Sequence, residues 1–297
     1  MTLAAVALLA TGCIGKIAAK QTTDMVIRAM PAYDRETDIE LAEESIGSNL
    51  KLLEGVLEGS PDSRRLLVTT SSAFSRYVYG IIEEQIDVAD HNYDMDEVER
   101  LKDRAVGLYV RARQYGLRAI ATFRPAFSEA AASDPDRFAA ELQQFKEDDL
   151  ENLFWTAFAW GGIINLRQDD PRWLADLPTV KMMMNRVMEL DESFYFASPH
   201  LFYGTYYGNY PEMLGGDPVQ ARSHIERADE LNEGKYLMAS FMMARFVAVP
   251  TQDRKLFEQS LQRVLDAPID LFPEQGLANQ LAKRRAAHWL QYADRLF

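Results

Sequence analysis

The sequence has almost no cysteine: Cys13 is the only one among 297 residues, so no disulfide bond can form within the chain. Positive charge is also scarce, since 32 basic side chains stand against 45 acidic ones and the formal net charge is −13. A nucleic-acid-binding surface requires concentrated positive charge, and the composition therefore argues against a nucleic-acid partner. Glycine and proline are modest, at 16 and 12 residues, which suits long helices joined by short turns.

The apolar run at the N-terminus is too short to cross a membrane. It covers eight residues, 3–10, whereas a transmembrane helix needs ~20. The run leads into Gly12-Cys13 and resembles the signal of a bacterial lipoprotein, although Ala10 stands where leucine is more usual and no Lys or Arg precedes it. We therefore predict a signal segment over residues 1–12, a true start upstream of the given one, and lipid attachment at Cys13.

Lipid on Cys13 predicts a membrane anchor, with residues 13–37 as its tether or as a first cap of the fold. Ile14 is not acidic, and by analogy with bacterial lipoproteins this favours the periplasmic face of the outer membrane over the inner membrane. The alternative is that residues 1–20 form an ordinary helix with a buried thiol.

Apolar residues recur every three or four positions through most of the chain after residue 38. One such stripe is formed by Leu101, Ala105, Leu108, Ala112, Tyr115 and Ala119. This spacing is typical of amphipathic helices, and no sustained alternation of polar and apolar residues indicates a strand. Helix starts are predicted where a capping side chain precedes proline, at Ser60-Pro61, Asp134-Pro135, Asp170-Pro171 and Asp217-Pro218. We predict an all-α fold, with residues 38–297 as a single domain because no flexible linker divides them.

An internal repeat suggests how the helices are arranged. Residues 186–195 and 227–236 share five of ten positions at an offset of 41 residues, and residues 263–268 repeat the same helix ending. Small and apolar residues follow the spacing of tetratricopeptide repeats at Gly204, Tyr207, Ala221, Ile225 and Ala228. The pattern predicts a tetratricopeptide-like solenoid of helix pairs, whose concave face would hold a peptide, a protein or an elongated ligand. A non-repetitive helical bundle is the alternative.

The sequence contains no known catalytic motif. Phosphate-binding loops, dinucleotide-binding loops, zinc-protease motifs and nucleophile elbows are all missing from it. No two of the four histidines lie three or four residues apart, so no helix supplies a histidine pair for a metal. The acidic stretch 90–97 resembles a calcium loop but has Met95 in place of the loop's glycine and Leu101 in place of its final glutamate. We predict a protein that is not an enzyme and has neither cofactor nor metal.

Two segments, 154–160 and 202–210, hold more aromatic rings than one helix face can bury. Most of these rings are expected in the core, and the remainder in a groove or a subunit contact of a homo-oligomer. The candidate groove residues are Trp155, Trp160, Tyr203, Tyr206 and Tyr207. Arg285 falls within an apolar stripe, where it would either bind a ligand carboxylate or form a structural ion pair.

Several segments in the same order resemble the TatT family, the T component associated with TRAP (tripartite ATP-independent periplasmic) transporters. They are residues 199–207, 214–218, 235–237, 253–257 and 277–286. The resemblance covers most of residues 36–297. It implies a periplasm-facing lipoprotein built from tetratricopeptide-like helix pairs. Its implied partner is the solute-binding protein of a TRAP system, whose ligands are typically organic acids, and it implies no catalytic residues.

Three functions remain open at this point. The first is a lipid-anchored TRAP component that binds the solute-binding protein and its organic-acid ligand. The second is a scaffold lipoprotein for envelope assembly, since lipid-anchored repeat proteins also organise outer-membrane complexes. The third is a lipid-anchored hydrolase with an unrecognised site, which ranks last because the sequence offers no pair of nucleophile and base.

Overall fold

The computed structural model of the protein describes residues 21–297, and within this range the chain forms helices and turns without a strand. The prediction of an all-α fold is confirmed. The predicted signal segment 1–12 and the lipid-attachment site Cys13 lie outside the described residues, so both stay predictions.

The helices follow one another with short connections. Their bounds are α1 (residues 21–34), α2 (Ile39–Gly59), α3 (Arg64–Tyr77), α4 (Glu83–His91), α5 (Met95–Ala121), α6 (Phe127–Ser133), α7 (Pro135–Leu142), α8 (Leu150–Leu166), α9 (Pro171–Leu174), α10 (Leu177–Leu190), α11 (Phe194–Asn209), α12 (Pro218–Leu231), α13 (Met238–Met243), α14 (Arg254–Asp266), α15 (Gly276–Leu290) and α16 (Ala293–Leu296). A π-helical turn, Val78–Ile82, joins α3 to α4, and a second, Ala244–Ala248, extends α13.

Three of the four predicted helix starts are confirmed. Asp134, Asp170 and Asp217 each accept a hydrogen bond from a backbone N–H in the first turn of the helix that their proline begins. The fourth prediction was wrong, because Ser60 ends α2 and Ser63 caps α3 instead. The Ser60 carbonyl accepts the Ser63 N–H at 3.1 Å, and this tight turn reverses the chain before α3 can begin.

The first half of the fold is centred on α5, which packs against both α3 and α8. Gly116 permits the close approach of α5 to α8, because a Cβ atom there would lie 2.2 Å from Thr156 Oγ1. From α10 onward each helix packs against the next as far as α15, as a series of helix pairs requires. The observed packing is compatible with the predicted solenoid-like arrangement.

The last long helix returns to the beginning of the fold. Helix α15 packs against α2, and the contact contains a buried apolar cluster of Ala42, Ile81, Leu277 and Leu281. An ion-pair network reinforces it, since Arg284 Nη2 lies 2.7 Å from Glu43 Oε1 and 2.5 Å from Glu84 Oε2. Helices from the two ends of the series therefore border the same interior space.

Candidate functional site

An aromatic cavity of about 200 Å³ lies between the two halves of the fold. Eleven of its lining residues are aromatic: Tyr33, Tyr77, Tyr79, Tyr109, Trp155, Phe158, Tyr195, Phe202, Tyr206, Tyr210 and Tyr236. Just two of the described lining residues are an acid or a strong base, Glu83 and Arg76. Such a surface suits an apolar ligand body that is oriented by a few polar groups.

The rings of the cavity wall hold one another in place. Phe158 meets Tyr79 edge-on at a centroid distance of 5.8 Å, and Trp155 meets Tyr195 in the same way at 4.7 Å. Edge-to-face contacts of this kind are favourable beyond the area they bury. The wall is therefore largely formed before any ligand binds.

A left-handed turn places Tyr195 in this wall. Tyr195, Phe196 and Ala197 have φ values of 43°, 60° and 56°, a conformation that costs L-residues roughly 1–2 kcal/mol each. Surrounding contacts compensate: the Phe196 ring stacks on Tyr236 at 5.1 Å, and Asn232 Nδ2 donates to the Phe196 carbonyl at 2.9 Å. Backbone strain of this kind tends to occur at functional sites.

The internal repeat ends at the cavity. Tyr195 and Tyr236 are the last residues of the two similar segments, and both line it. Burial raises the pKa of both phenols, and both therefore stay neutral at physiological pH. The shared final tyrosine of the two repeat segments was therefore a signal for the site. In the sequence analysis the repeat predicted only the arrangement of the helices.

Arg76 is the cation of the cavity wall. It lies near the end of α3, where it forms an ion pair with Asp34 of α1 and lies close enough for its charge to act on the phenols of Tyr195 and Tyr236. Its side chain keeps 27% of its accessible surface. The side chain of Arg76 is therefore partly accessible to an incoming molecule.

Glu83 is the carboxyl group of the cavity wall. Its Oε1 atom accepts a hydrogen bond from Tyr109 Oη at 2.6 Å. Burial raises the pKa of Glu83, and the Tyr109 hydrogen bond offsets this only in part. The protonated, neutral form is therefore favoured more than at an exposed glutamate.

A buried ion-pair cluster lies next to Glu83 and includes Arg285. Asp87 Oδ2 is 3.0 Å from Arg285 Nη2 and 3.0 Å from Arg245 Nη1. Burial acts to raise the pKa of Asp87, but the charges of Arg245 and Arg285 outweigh it and lower the pKa. Arg285 also donates to the Tyr79 carbonyl in the π turn at 3.4 Å, and so it braces the backbone that carries Tyr79.

The structure separates the residues that the sequence singled out. Trp155 and Tyr206 line the cavity. Trp160, Tyr203 and Tyr207 are not among its lining residues, and neither is Arg285, which is 1% exposed and paired with Asp87.

The three rings outside the cavity wall have other neighbours. Trp160 Nε1 donates to Asp176 Oδ2 at 2.9 Å, while Tyr203 and Tyr207 both stack on the ring of His224. Sequence reasoning missed Arg76, Glu83, Tyr195 and Tyr236, because helical periodicity assigns such positions to an ordinary core.

The four histidines form two hydrogen-bonded pairs. His91 Nδ1 lies 2.8 Å from His288 Nε2, and His200 Nδ1 lies 2.9 Å from His224 Nδ1. Each pair joins two helices, so spacing along one helix could not reveal it. Within residues 21–297 no group of three or more His, Cys, Asp or Glu side chains is arranged to hold a metal ion.

Fold and site together define an all-α protein built around an aromatic cavity, and in the described part of the chain no helix is both long and apolar enough to cross a membrane. The chain belongs to the family of TRAP transporter T-components, whose family model matches residues 35–297. The resemblance seen in the sequence is thereby confirmed, and the protein is a component associated with a TRAP transporter. The chain is also similar to an uncharacterized protein of Treponema pallidum (strain Nichols), with 21% identity over 260 residues that cover 87% of this chain and 80% of the relative.

Proposed function

We propose that this protein is a lipid-anchored periplasmic component that binds the solute-binding protein of its TRAP transporter and takes the organic-acid ligand into the aromatic cavity. The observation that carries the proposal is the cavity itself, in a member of a transporter-component family. Lipid on Cys13 would hold the protein at the outer membrane, where the periplasmic partner is within reach.

The size and chemistry of the cavity suit a small acid with an apolar body. About 200 Å³ of interior space accommodates on the order of ten water molecules, and therefore a small organic ligand. The aromatic rings supply apolar contact, and Arg76 supplies a planar guanidinium whose paired N–H groups match a carboxylate.

Binding without chemical conversion accounts for the polar groups of the cavity. Tyr195 and Tyr236 are neutral phenols, and each can form a hydrogen bond with a ligand. Glu83 accepts a hydrogen bond from the Tyr109 hydroxyl. A role in receiving or handing over a solute needs no more than this. The family match favours this role over envelope assembly.

The test is co-elution with the solute-binding protein of a TRAP transporter from the same organism. Purified protein lacking the N-terminal 20 residues is mixed with that partner and separated by size, and we expect a complex of both chains. An unrelated periplasmic binding protein is the control and should elute separately. Separate elution of the cognate pair, with circular dichroism showing a folded helical protein, would contradict the proposal.

Lipid attachment has its own test. The full-length protein and its Cys13→Ala variant are expressed in bacteria fed a labelled fatty acid, and the label is expected on the wild type alone. Equal labelling of both proteins, or of neither, would contradict the anchor.

A further inference from the structure

Helix α1 lies outside the part of the chain that matches the family, yet it borders the cavity. The family model begins at residue 35, whereas α1 covers residues 21–34. Met30 and Tyr33 of α1 are among the residues that line the cavity. Helix α1 therefore contributes to the cavity wall from outside the matched residues.

Within the described part of the chain, the contacts of α1 include few buried side chains and two ion pairs. Val26 is its buried apolar residue, and Thr23 is buried with no partner for its hydroxyl. Two ion pairs hold it to α3: Asp24 Oδ1 lies 2.9 Å from Arg65 Nη1, and Asp34 pairs with Arg76. Ion pairs of this exposure contribute little to stability, so each of the two can open at small cost in free energy.

The second of these ion pairs engages Arg76, the cation of the cavity wall, with Asp34. The Asp34 carboxylate engages the Arg76 guanidinium, and Arg76 is the one cationic side chain among the described cavity-lining residues. A ligand carboxylate that enters the cavity must therefore compete with Asp34 for Arg76. The aspartate has the same charge and the same planar oxygen pair as that ligand.

We propose that Arg76 is the carboxylate-binding residue of the cavity and that α1 is a lid whose Asp34 is a built-in competitor for the ligand. The ligand class is a carboxylate with an aromatic or other apolar body. When its carboxylate takes over Arg76, Asp34 is released and the end of α1 that carries Met30 and Tyr33 loosens. The inference rests on the proposed function for the class of ligand. The exchange of carboxylates on Arg76 involves no partner protein, so it can be tested separately from binding of the solute-binding protein.

Competition of this kind reduces the apparent affinity to the intrinsic affinity multiplied by the fraction of molecules in which Arg76 is free. Asp34→Asn removes the competing charge, keeps the size of the side chain and leaves Arg76 in place. The variant is expected to bind a carboxylate probe about fivefold more tightly than the wild type, as the loss of one partly exposed ion pair predicts. Arg76→Gln is expected to lose the preference for the charged probe.

The experiment uses two probes that share one body: 1-naphthoate, which carries a carboxylate, and 1-naphthamide, which does not. Their affinities are measured by calorimetry for the wild type, Asp34→Asn, Arg76→Gln and the control Asp24→Asn, which breaks the other ion pair of α1. We expect Asp34→Asn to strengthen naphthoate binding alone and Asp24→Asn to leave the ratio of the two affinities unchanged. Equal effects of Asp34→Asn on both probes, or no naphthoate binding to Asp34→Asn, would overturn the inference.

Hydrogen exchange supplies a second readout that does not depend on a variant. Saturating naphthoate is expected to speed amide exchange in residues 27–34 of the wild type, because the ligand releases Asp34. Naphthamide should leave that exchange unchanged. Slower exchange of these amides with naphthoate would show that the ligand fastens α1, and this result too would overturn the inference. Separate elution of the solute-binding protein would count against the proposed function alone.

Discussion

At the scale of single residues, the charges buried beside the cavity should be the most sensitive positions. Arg285 is 1% exposed and shares Asp87 with Arg245, so a truncated arginine leaves a buried carboxylate with one partner fewer. We expect Arg285→Leu to lower the free energy of unfolding by about 3 kcal/mol, measured by urea denaturation.

An exposed arginine provides the control. Arg254 pairs with Glu258 and Asp294, and its side chain keeps 48% of its surface, so Arg254→Leu should leave the unfolding midpoint nearly unchanged. Similar losses at both positions would contradict the structural role assigned to the Arg285–Asp87 pair.

Substitution of two helical glycines by alanine is expected to change the free energy of unfolding in opposite directions. A Cβ atom at Gly208 would lie 2.1 Å from the Phe246 carbonyl oxygen, because α11 touches the second π turn there. We expect Gly208→Ala to cost about 1–3 kcal/mol in urea unfolding, since backbone must move to admit the methyl group.

Gly107 on α5 has no such neighbour, because nothing lies within 4 Å of its Cβ position. Gly107→Ala should therefore raise the free energy of unfolding by about 0.5–1 kcal/mol through the loss of glycine's freedom in the unfolded chain. No loss of stability at Gly208 would contradict the described packing between α11 and the π turn, and a loss at Gly107 would contradict the open surroundings described for that position on α5.

At the scale of helices, the two histidine pairs make the packing sensitive to pH. One ring nitrogen of each pair must be unprotonated to accept the hydrogen bond, so double protonation would break the bond between α4 and α15 and the bond between α11 and α12. Burial lowers the pKa of His91 and His224, and the positive charge of the paired histidine lowers it further. Asp87 and Asp90 oppose the shift at His91, while Arg245 adds to it.

The sign of the effect follows from these shifts. A histidine whose pKa is lower in the folded state than its usual 6.5 takes up its proton more readily in the unfolded chain. Its contribution to stability is present above pH 6.5 and is lost as the pH falls. We expect the urea midpoint of the wild type to fall more between pH 7.5 and pH 5.5 than that of the double variant His91→Gln, His224→Gln. An equal fall in both proteins would contradict this account.

The sequence allowed the elements to be predicted better than the site. Apolar spacing identifies α5 and its stripe, and Asp-Pro pairs identify three helix starts, because these signals are local. The cavity wall is assembled from helices distant in the chain, and Arg76 acquires its meaning from Asp34, which lies 42 residues away. No local sequence pattern predicts the pairing of Arg76 with Asp34. Tyr195 and Tyr236 could be predicted in part. The repeat places a tyrosine at the same position of both segments, but it does not show that the two side chains face one cavity.

At the scale of the whole molecule, the return of α15 to α2 brings helices from both ends of the series to the wall of one cavity. An open concave face would bind a ligand or partner along its length, whereas this cavity offers a small molecule a wall rich in aromatic rings. The cavity wall includes Ala278 of α15, so a larger side chain there should occupy the interior while the outer surfaces keep their shape. Ala132 on α6 is exposed and provides a matched control position.

The most direct test of the proposed function follows the ligand itself. The solute-binding protein is loaded with its isotope-labelled organic acid, mixed with wild type, Ala278→Phe or Ala132→Phe and separated again, and the label on each protein is measured. We predict that label reaches the wild type and Ala132→Phe but not Ala278→Phe, which should still bind the partner. Label that stays with the solute-binding protein in every mixture, or that reaches Ala278→Phe as readily as the wild type, would contradict the proposal that the aromatic cavity receives the solute.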